Sequence, residues 1–273
     1  MHLRADVNGI RIAYSDEGKG VPLLFVHGFP LSRGAWERQL PALSPSYRVL
    51  APDLRGFGES ETLSGPSTMA QFAEDLHALL LQLRTGPVVL LGHSMGGYVA
   101  LAFSLRFPQM LRGLVLVGTK AGNDGQETAA GRRALAEQVR GEGTQTLIDT
   151  LVPKMLAAGN GDPDMAGAVR GFMARSQPEG VSGALLGMAV RPDSTGMLAG
   201  ISVPTLVVTG AEDVLLPPEE SRKLAQAIKG AQLLVIPCAG HLVAFEKAEE
   251  FNRALKAWLS LHSFVSERRE SCP

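Results

Sequence analysis

The sequence predicts an α/β fold: a doubly wound, mostly parallel sheet of eight strands with a helical cap inserted late in the chain. Three observations predict it. Short apolar runs without alternation recur along the chain, as strands buried on both faces of a parallel sheet require. Segments with three-and-four apolar spacing separate them. The alternation then stops between residues 120 and 198, where helical segments follow one another with no clear strand.

In chain order, Leu3 to Val7 and Ile10 to Tyr14 flank Asn8-Gly9, a two-residue hairpin signal. Leu23-Leu24-Phe25-Val26 is a fully apolar strand, and Tyr47 to Ala51 is another, ending at Pro52-Asp53. Met69, Phe72, Leu76, Leu79, Leu80 and Leu83 mark one helix face, and Thr68 with Gln71 forms a capping box ahead of it. Val88 to Leu91, Leu114 to Val117, Thr205 to Thr209 and Leu233 to Ile236 complete the strands. Helical segments read at Ala129–Arg140, Thr144–Leu156, Met165–Ala174 and Val181–Met188; the last helix carries Phe251, Leu255, Trp258 and Leu259 on one face. The chain therefore divides into a core of residues 1-119 and 199-273 and a cap of residues 120-198.

The bulk numbers exclude several classes. Of the 273 residues, 45% are hydrophobic and 19% charged, with a formal net charge of -1 and no basic stripe. Neither nucleic acid nor a membrane surface gains electrostatic attraction from such a chain. There is no apolar signal-peptide core and no run long enough to span a bilayer, so a cytoplasmic location is expected. Two cysteines, Cys238 and Cys272, offer neither a disulfide framework nor zinc spacing.

Chemistry concentrates at Gly92-His93-Ser94-Met95-Gly96, between the run Val88–Leu91 and a helical segment from Gly97. Strand, Gly-x-Ser-x-Gly, helix is the context that lifts a serine off a sheet as a nucleophile. With glycine at 31 residues, about 0.2 such pentapeptides would arise by chance, so partners are needed. A serine hydroxyl needs a base. Of six histidines, His2 is terminal, His262 ends the last helix, His77 reads as exposed on its helix, and His93 points into the elbow. His241 sits in the loop after the last strand, where carboxyl-end loops converge over a parallel sheet. Asp213, after Thr205–Thr209, is the acid that orients it, with Glu212 and Asp124 as alternatives; the order Ser94, Asp213, His241 is the one such an elbow requires. Backbone N–H groups of Met95 and Phe29 are the expected oxyanion donors, since Pro30 has none, with His27 and Gly28 supporting the loop.

With these residues assembled, the chain resembles the α/β-hydrolases of the esterase and lactonase group over nearly its whole length. The resemblance rests on His27-Gly28-Phe29-Pro30, Pro52-Asp53-Leu54-Arg55-Gly56-Phe57-Gly58-Glu59-Ser60, Gly92-His93-Ser94-Met95-Gly96-Gly97, Gly210-Ala211-Glu212-Asp213 and Ala239-Gly240-His241. It is similar to serine carboxylesterases with a Phe-Pro oxyanion loop, and through them to cofactor-free perhydrolases and 3-oxoadipate enol-lactonases. The resemblance implies hydrolysis of small carboxylic esters without metal or organic cofactor, a perhydrolytic side activity associated with Pro30, and a structural role for Asp53, Arg55 and Gly58. A monomer or small homo-oligomer is expected. Lactone hydrolysis, C–C bond hydrolysis by the same three residues, and a ligand receptor on a hydrolase fold remain the alternatives. The cap arginines Arg132, Arg133, Arg140, Arg170, Arg175 and Arg191 read mainly as solvated helix faces, with an anion site as the other reading. Part of Met155, Leu156, Met165, Met173, Leu185, Leu186 and Met188 is expected to line an apolar pocket.

Overall fold

The computed structural model describes residues 3–264. Strands β1 (Leu3–Val7) and β2 (Ile10–Glu17) form the expected hairpin. Its two turn residues, Asn8 and Gly9, both have positive φ, as the favoured two-residue turn demands. Strands β3 (Pro22–Val26), β4 (Arg48–Pro52), β5 (Val88–His93), β6 (Leu111–Val117), β7 (Thr205–Gly210) and β8 (Gln232–Ile236) complete one eight-stranded sheet of order β1-β2-β4-β3-β5-β6-β7-β8. β1 and β2 are antiparallel to their neighbours, and every pair from β4 through β8 is parallel. The chain leaves β3 toward β4 and returns on the other side at β5, so the carboxyl ends of β3 and β5 flank a switch point where ligands of such sheets bind.

Successive side chains of the central strands feed two cores. Leu24, Val26, Leu90, Leu114 and Leu116 face a layer made by α2 (Met69–Gln82) and α3 (Met95–Arg106). Leu23, Phe25, Val89, Leu91, Val115 and Val117 face the opposite layer. The period of two explains why these strands read as unbroken apolar runs. α2 opens on the capping box expected from Thr68 and Gln71, with Gln71 N donating to Thr68 Oγ1 at 3.2 Å and Thr68 N donating to Gln71 Oε1 at 2.9 Å. One expectation fails at the sheet edge. Leu233 in β8 is 39% exposed, because an edge strand has a neighbour on one side only.

Between β6 and β7 lie four helices: α4 (Gln126–Glu142), α5 (Gln145–Met155), α6 (Pro163–Ala174) and α7 (Pro178–Ala189). α7 lies flush on the loop before α2. Its Gly180 backs onto Gly56 and its Gly187 onto Ser67, both so closely that a Cβ would overlap main-chain atoms, and Ser67 N donates to Gly183 O at 2.9 Å. Glycines at this spacing make one helix face thin enough to dock. Phe172 of α6 packs edge-on against Phe245 at 5.2 Å between ring centres. The remaining helices are α1 (Leu40–Leu43), α8 (Pro218–Ala227), α9 (Val243–Glu246) and α10 (Ala248–Leu261); α1, α9 and α10 cover the second core with Trp36 and Trp258. No helix among the described residues is long and apolar enough to cross a membrane.

Candidate active site

β5 ends at His93 and α3 begins at Met95, so Ser94 alone makes the turn. Its φ of 53° and ψ of -115° lie outside the regions a side chain tolerates without strain. The surroundings hold it there. Ser94 N donates to Val117 O at 2.9 Å, Thr119 Oγ1 donates to Ser94 O at 2.8 Å, and Gly97 N donates to the same carbonyl at 2.9 Å. The flanking glycines are steric necessities. A Cβ on Gly92 would come within 2.7 Å of the Gly96 carbonyl carbon, and one on Gly96 within 2.7 Å of His27 O.

Asp213 lies three residues past β7 and is buried. Its Oδ1 accepts from Leu215 N at 2.9 Å and Leu216 N at 2.8 Å, which aims Oδ2 at His241 Nδ1, 2.7 Å away. With its Nδ1–H donated to a carboxylate, a neutral His241 ring has Nε2 as its basic nitrogen. The alternative acids are placed otherwise. Glu212 is exposed, and Asp124 is paired with cations.

Two further histidines brace the site. His93 Nε2 donates to His241 O at 3.0 Å. Burial, reinforced by the neighbouring His241, pushes its pKa well below the usual histidine value, so it is neutral and a plain donor. Its Nδ1 is buried without a partner among the described residues and would lie 2.6 Å from any Cβ at position 28, which is why Gly28 stands there. His27 Nε2 accepts from Leu54 N at 3.0 Å, so its Nδ1–H donates to Gly28 O at 2.9 Å. Burial lowers the His27 pKa as well. That ring ties the loop after β3 to the loop after β4, which is itself pinned by Asp53. Asp53 accepts from Arg33 N at 2.7 Å and Glu59 N at 2.9 Å, and pairs with the Arg33 guanidinium.

Ser94, His241 and Phe29 line one cavity of about 570 Å³. Its apolar wall comes from Leu135 of α4, Leu147, Leu151 and Met155 of α5, and Leu185 and Met188 of α7, with Leu215 and Leu216. Met95, as the first residue of α3, has no acceptor for its N–H within the helix. The Phe29 N–H makes no hydrogen bond among the described residues. Among the described residues no group of His, Cys, Asp and Glu side chains is arranged to hold a metal ion.

A family model for the alpha/beta hydrolase fold matches residues 21–248, which includes the elbow, Asp213 and His241. The chain belongs to the α/β-hydrolase fold family. Among solved structures, that of a thermophilic esterase from Thermogutta terrifontis, bound to malate, superposes with a TM-score of 0.93 at 41% identity, over 96% of this chain and 99% of that one. The enol-lactonase from Burkholderia xenovorans superposes with a TM-score of 0.88 at 28% identity, over 94% of this chain and 100% of that one. A non-heme chloroperoxidase from Kitasatospora aureofaciens is 32% identical over 93% of this chain and 97% of its own.

Of the residues expected to act together in this α/β-hydrolase, Asp213 hydrogen-bonds His241; Ser94, His241 and Phe29 line one cavity; and Met95 opens the helix after Ser94. Of the apolar set between residues 155 and 188, Met155, Leu185 and Met188 reach the cavity, while Leu156 and Met173 share a buried cluster with Leu242 and Phe245, against which Met165 packs. His77 departs from expectation: it is half-buried, stacked on Phe107 at 3.9 Å between ring centres. Arg133 and Arg175 are exposed, and Arg140 and Arg170 make surface pairs with Glu137 and Asp149. Arg132 and Arg191 instead turn inward to Asp124. Cys238 is a free, exposed thiol, and Cys272 lies outside the described residues.

Sequence reasoning missed Glu246. This buried carboxylate accepts from Gly240 N at 2.6 Å, next to His241, and from Ala157 N at 3.0 Å, just beyond α5. Nothing in the local pattern Val243-Ala244-Phe245-Glu246 signals it beyond one acid in an otherwise apolar run.

Proposed function

We propose that this α/β-hydrolase is a serine carboxylesterase, with Ser94 as nucleophile, His241 as general base and acid, and Asp213 as the group that orients His241. The observation that carries the reading is the buried 2.7 Å Asp213–His241 hydrogen bond, which leaves Nε2 as the basic nitrogen on the cavity wall shared with the strained elbow serine. Ser94 Oγ attacks the ester carbonyl as its proton passes to His241 Nε2. The N–H groups of Met95 and Phe29 receive the oxyanion as its charge develops. Collapse expels the alcohol, which takes the proton from His241 and leaves an acyl group on Ser94. Water then repeats the sequence, releasing the acid and restoring the hydroxyl. No step requires a metal or organic cofactor.

Helices α4 to α7 act in this reading as a cap over the site, corresponding to residues 120-198. A cavity of about 570 Å³ walled by leucine and methionine suits short to medium acyl chains. The similarity to an enol-lactonase supports a second reading, hydrolysis of a small lactone by the same residues.

The test is steady-state hydrolysis of p-nitrophenyl esters from acetate to decanoate, with Ser94→Ala alongside. Turnover that peaks at short or medium chains and vanishes in the variant is the expected result. Undiminished turnover in Ser94→Ala, or none on any ester by a folded wild type, would overturn it.

A further inference from the structure

One patch of the cavity wall is charged. Lys120, Asp124 and Arg132 line the cavity together with Tyr98. The Asp124 carboxylate holds the patch together. Its Oδ2 lies 2.5 Å from Arg132 Nε, and its Oδ1 lies 3.3 Å from both Lys120 Nζ and Arg191 Nη2. Burial raises the Asp124 pKa, but the Arg132 hydrogen bond and the three positive charges outweigh it and hold the carboxyl below its usual value. The acid is therefore charged, yet it is one negative charge among three positive ones. Arg191 is turned away from a ligand: its guanidinium lies 3.9 Å over the Tyr98 ring and its terminal nitrogens donate to Ala121 O and Gly122 O, while its Nε is buried with no hydrogen-bond partner among the described residues. Lys120 and Arg132 line the cavity, and among the described residues each is paired with Asp124 alone. Arg132 uses Nε alone, and its two terminal nitrogens make no hydrogen bond among the described residues. The Tyr98 hydroxyl, one helical turn past Ser94, makes none either.

These donors line the cavity and are open to a ligand that enters it. A guanidinium with its terminal fork free matches a carboxylate in a way that an ester alkyl chain does not. The patch is also close to the chemistry, since Thr119, the neighbour of Lys120, hydrogen-bonds the Ser94 carbonyl at 2.8 Å.

We propose that Tyr98, Lys120 and Arg132 form a carboxylate subsite, and that the enzyme prefers esters carrying a free carboxylate, such as the half-esters of small dicarboxylic acids. This rests on the reading of Ser94 as the nucleophile of the same cavity. Arg132 and Lys120 would neutralise the carboxylate and Tyr98 would donate to it, while the leucine and methionine wall takes the methylene chain.

The experiment compares two acid–amide pairs. Mono-p-nitrophenyl adipate and its primary amide place the charge on the acyl limb; 4-acetoxybenzoate and 4-acetoxybenzamide place it on the leaving group. In wild type, kcat/KM for the acid is expected to exceed that for the amide by roughly tenfold or more in one pair, the scale of a charge-assisted bond. The pair that shows it identifies the limb. Arg132→Gln should bring that ratio close to one, and Arg132→Lys should recover part of it. Acids no better than amides in both pairs, or a ratio unmoved by both Arg132→Gln and Lys120→Met, would overturn the subsite. In either of those cases, turnover of the amides that disappears in Ser94→Ala would leave the serine reading standing. If no ester is cleaved, thermal melting with adipate at fixed ionic strength decides. A rise in Tm in wild type that is absent in Arg132→Gln supports the subsite, and no rise overturns it.

Discussion

Glu246 offers a direct test of how the loop carrying His241 is held. Its Oε1 accepts from Ala157 N at 3.0 Å and Asn160 Nδ2 at 2.7 Å, and its Oε2 accepts from Gly240 N at 2.6 Å. Gly240 and Ala157 are buried, so Glu246→Ala would leave two main-chain N–H groups without an acceptor or water. Each orphaned buried donor costs about 1–3 kcal/mol, so the variant should lose about 2–6 kcal/mol of stability. Glu246→Gln keeps one acceptor oxygen and turns an NH2 toward the other donors. It should lose about half as much. At roughly 2–4 °C per kcal/mol for a domain of this size class, the alanine variant should melt on the order of 4–24 °C below wild type. Circular dichroism melts and urea titrations of the three proteins measure this. The order wild type, glutamine, alanine is expected, with kcat falling more than KM rises, because Gly240 precedes His241. An alanine variant within about 0.5 kcal/mol of wild type would refute the reasoning, since that is the scatter of an ordinary surface change.

Asp213→Asn should lower kcat on the order of 10⁴-fold. Its amide oxygen stays with Leu215 N and Leu216 N, turning the NH2 toward His241 Nδ1 and forcing the wrong tautomer; burst and steady-state kinetics with p-nitrophenyl acetate check this. Gly92→Ala should prevent soluble expression or remove several kcal/mol, because its Cβ would fall 2.8 Å from Gly97 N in fixed backbone. Gly141→Ala, at an exposed position of α4 with open space around it, should stabilise by roughly 0.5–1 kcal/mol; a urea midpoint for each variant separates the two. The buried histidines predict a pH dependence. Burial lowers the pKa of both His27 and His93 in the fold, so below the usual value near 6.5 the unfolded chain binds more protons. Their stabilisation is therefore complete above about pH 6.5 and is lost as pH falls, by up to about 1.4 kcal/mol per pH unit for each ring. Urea midpoints flat between about pH 7.5 and 5 would contradict it.

What the sequence determined by itself was everything carried by neighbouring residues. Gly92, Ser94 and Gly96 announce the elbow because the turn's sterics act within five residues. Asn8-Gly9 and Thr68 with Gln71 announce a hairpin and a helix start for the same reason, and buried parallel strands must read as apolar runs. The order Ser94, Asp213, His241 was legible because strand ends of a parallel sheet deliver their loops to one edge. Only the tertiary structure decided which polar residues meet across the chain. Arg132 and Arg191 read mainly as solvated helix faces, and Asp124 as an alternative acid for His241; with Lys120 they become a single patch once α4 and the segment after α7 close on β6. Glu246 looks like a surface acid and proves to be a buried brace between α5 and the His241 loop. Leu233 looked buried and His77 exposed, and each reversed, wholly or in part, with its place at the sheet edge or against Phe107. Hydrogen bonds and ion pairs depend on distances of a few tenths of an ångström between remote segments, and packing, not local pattern, sets those distances.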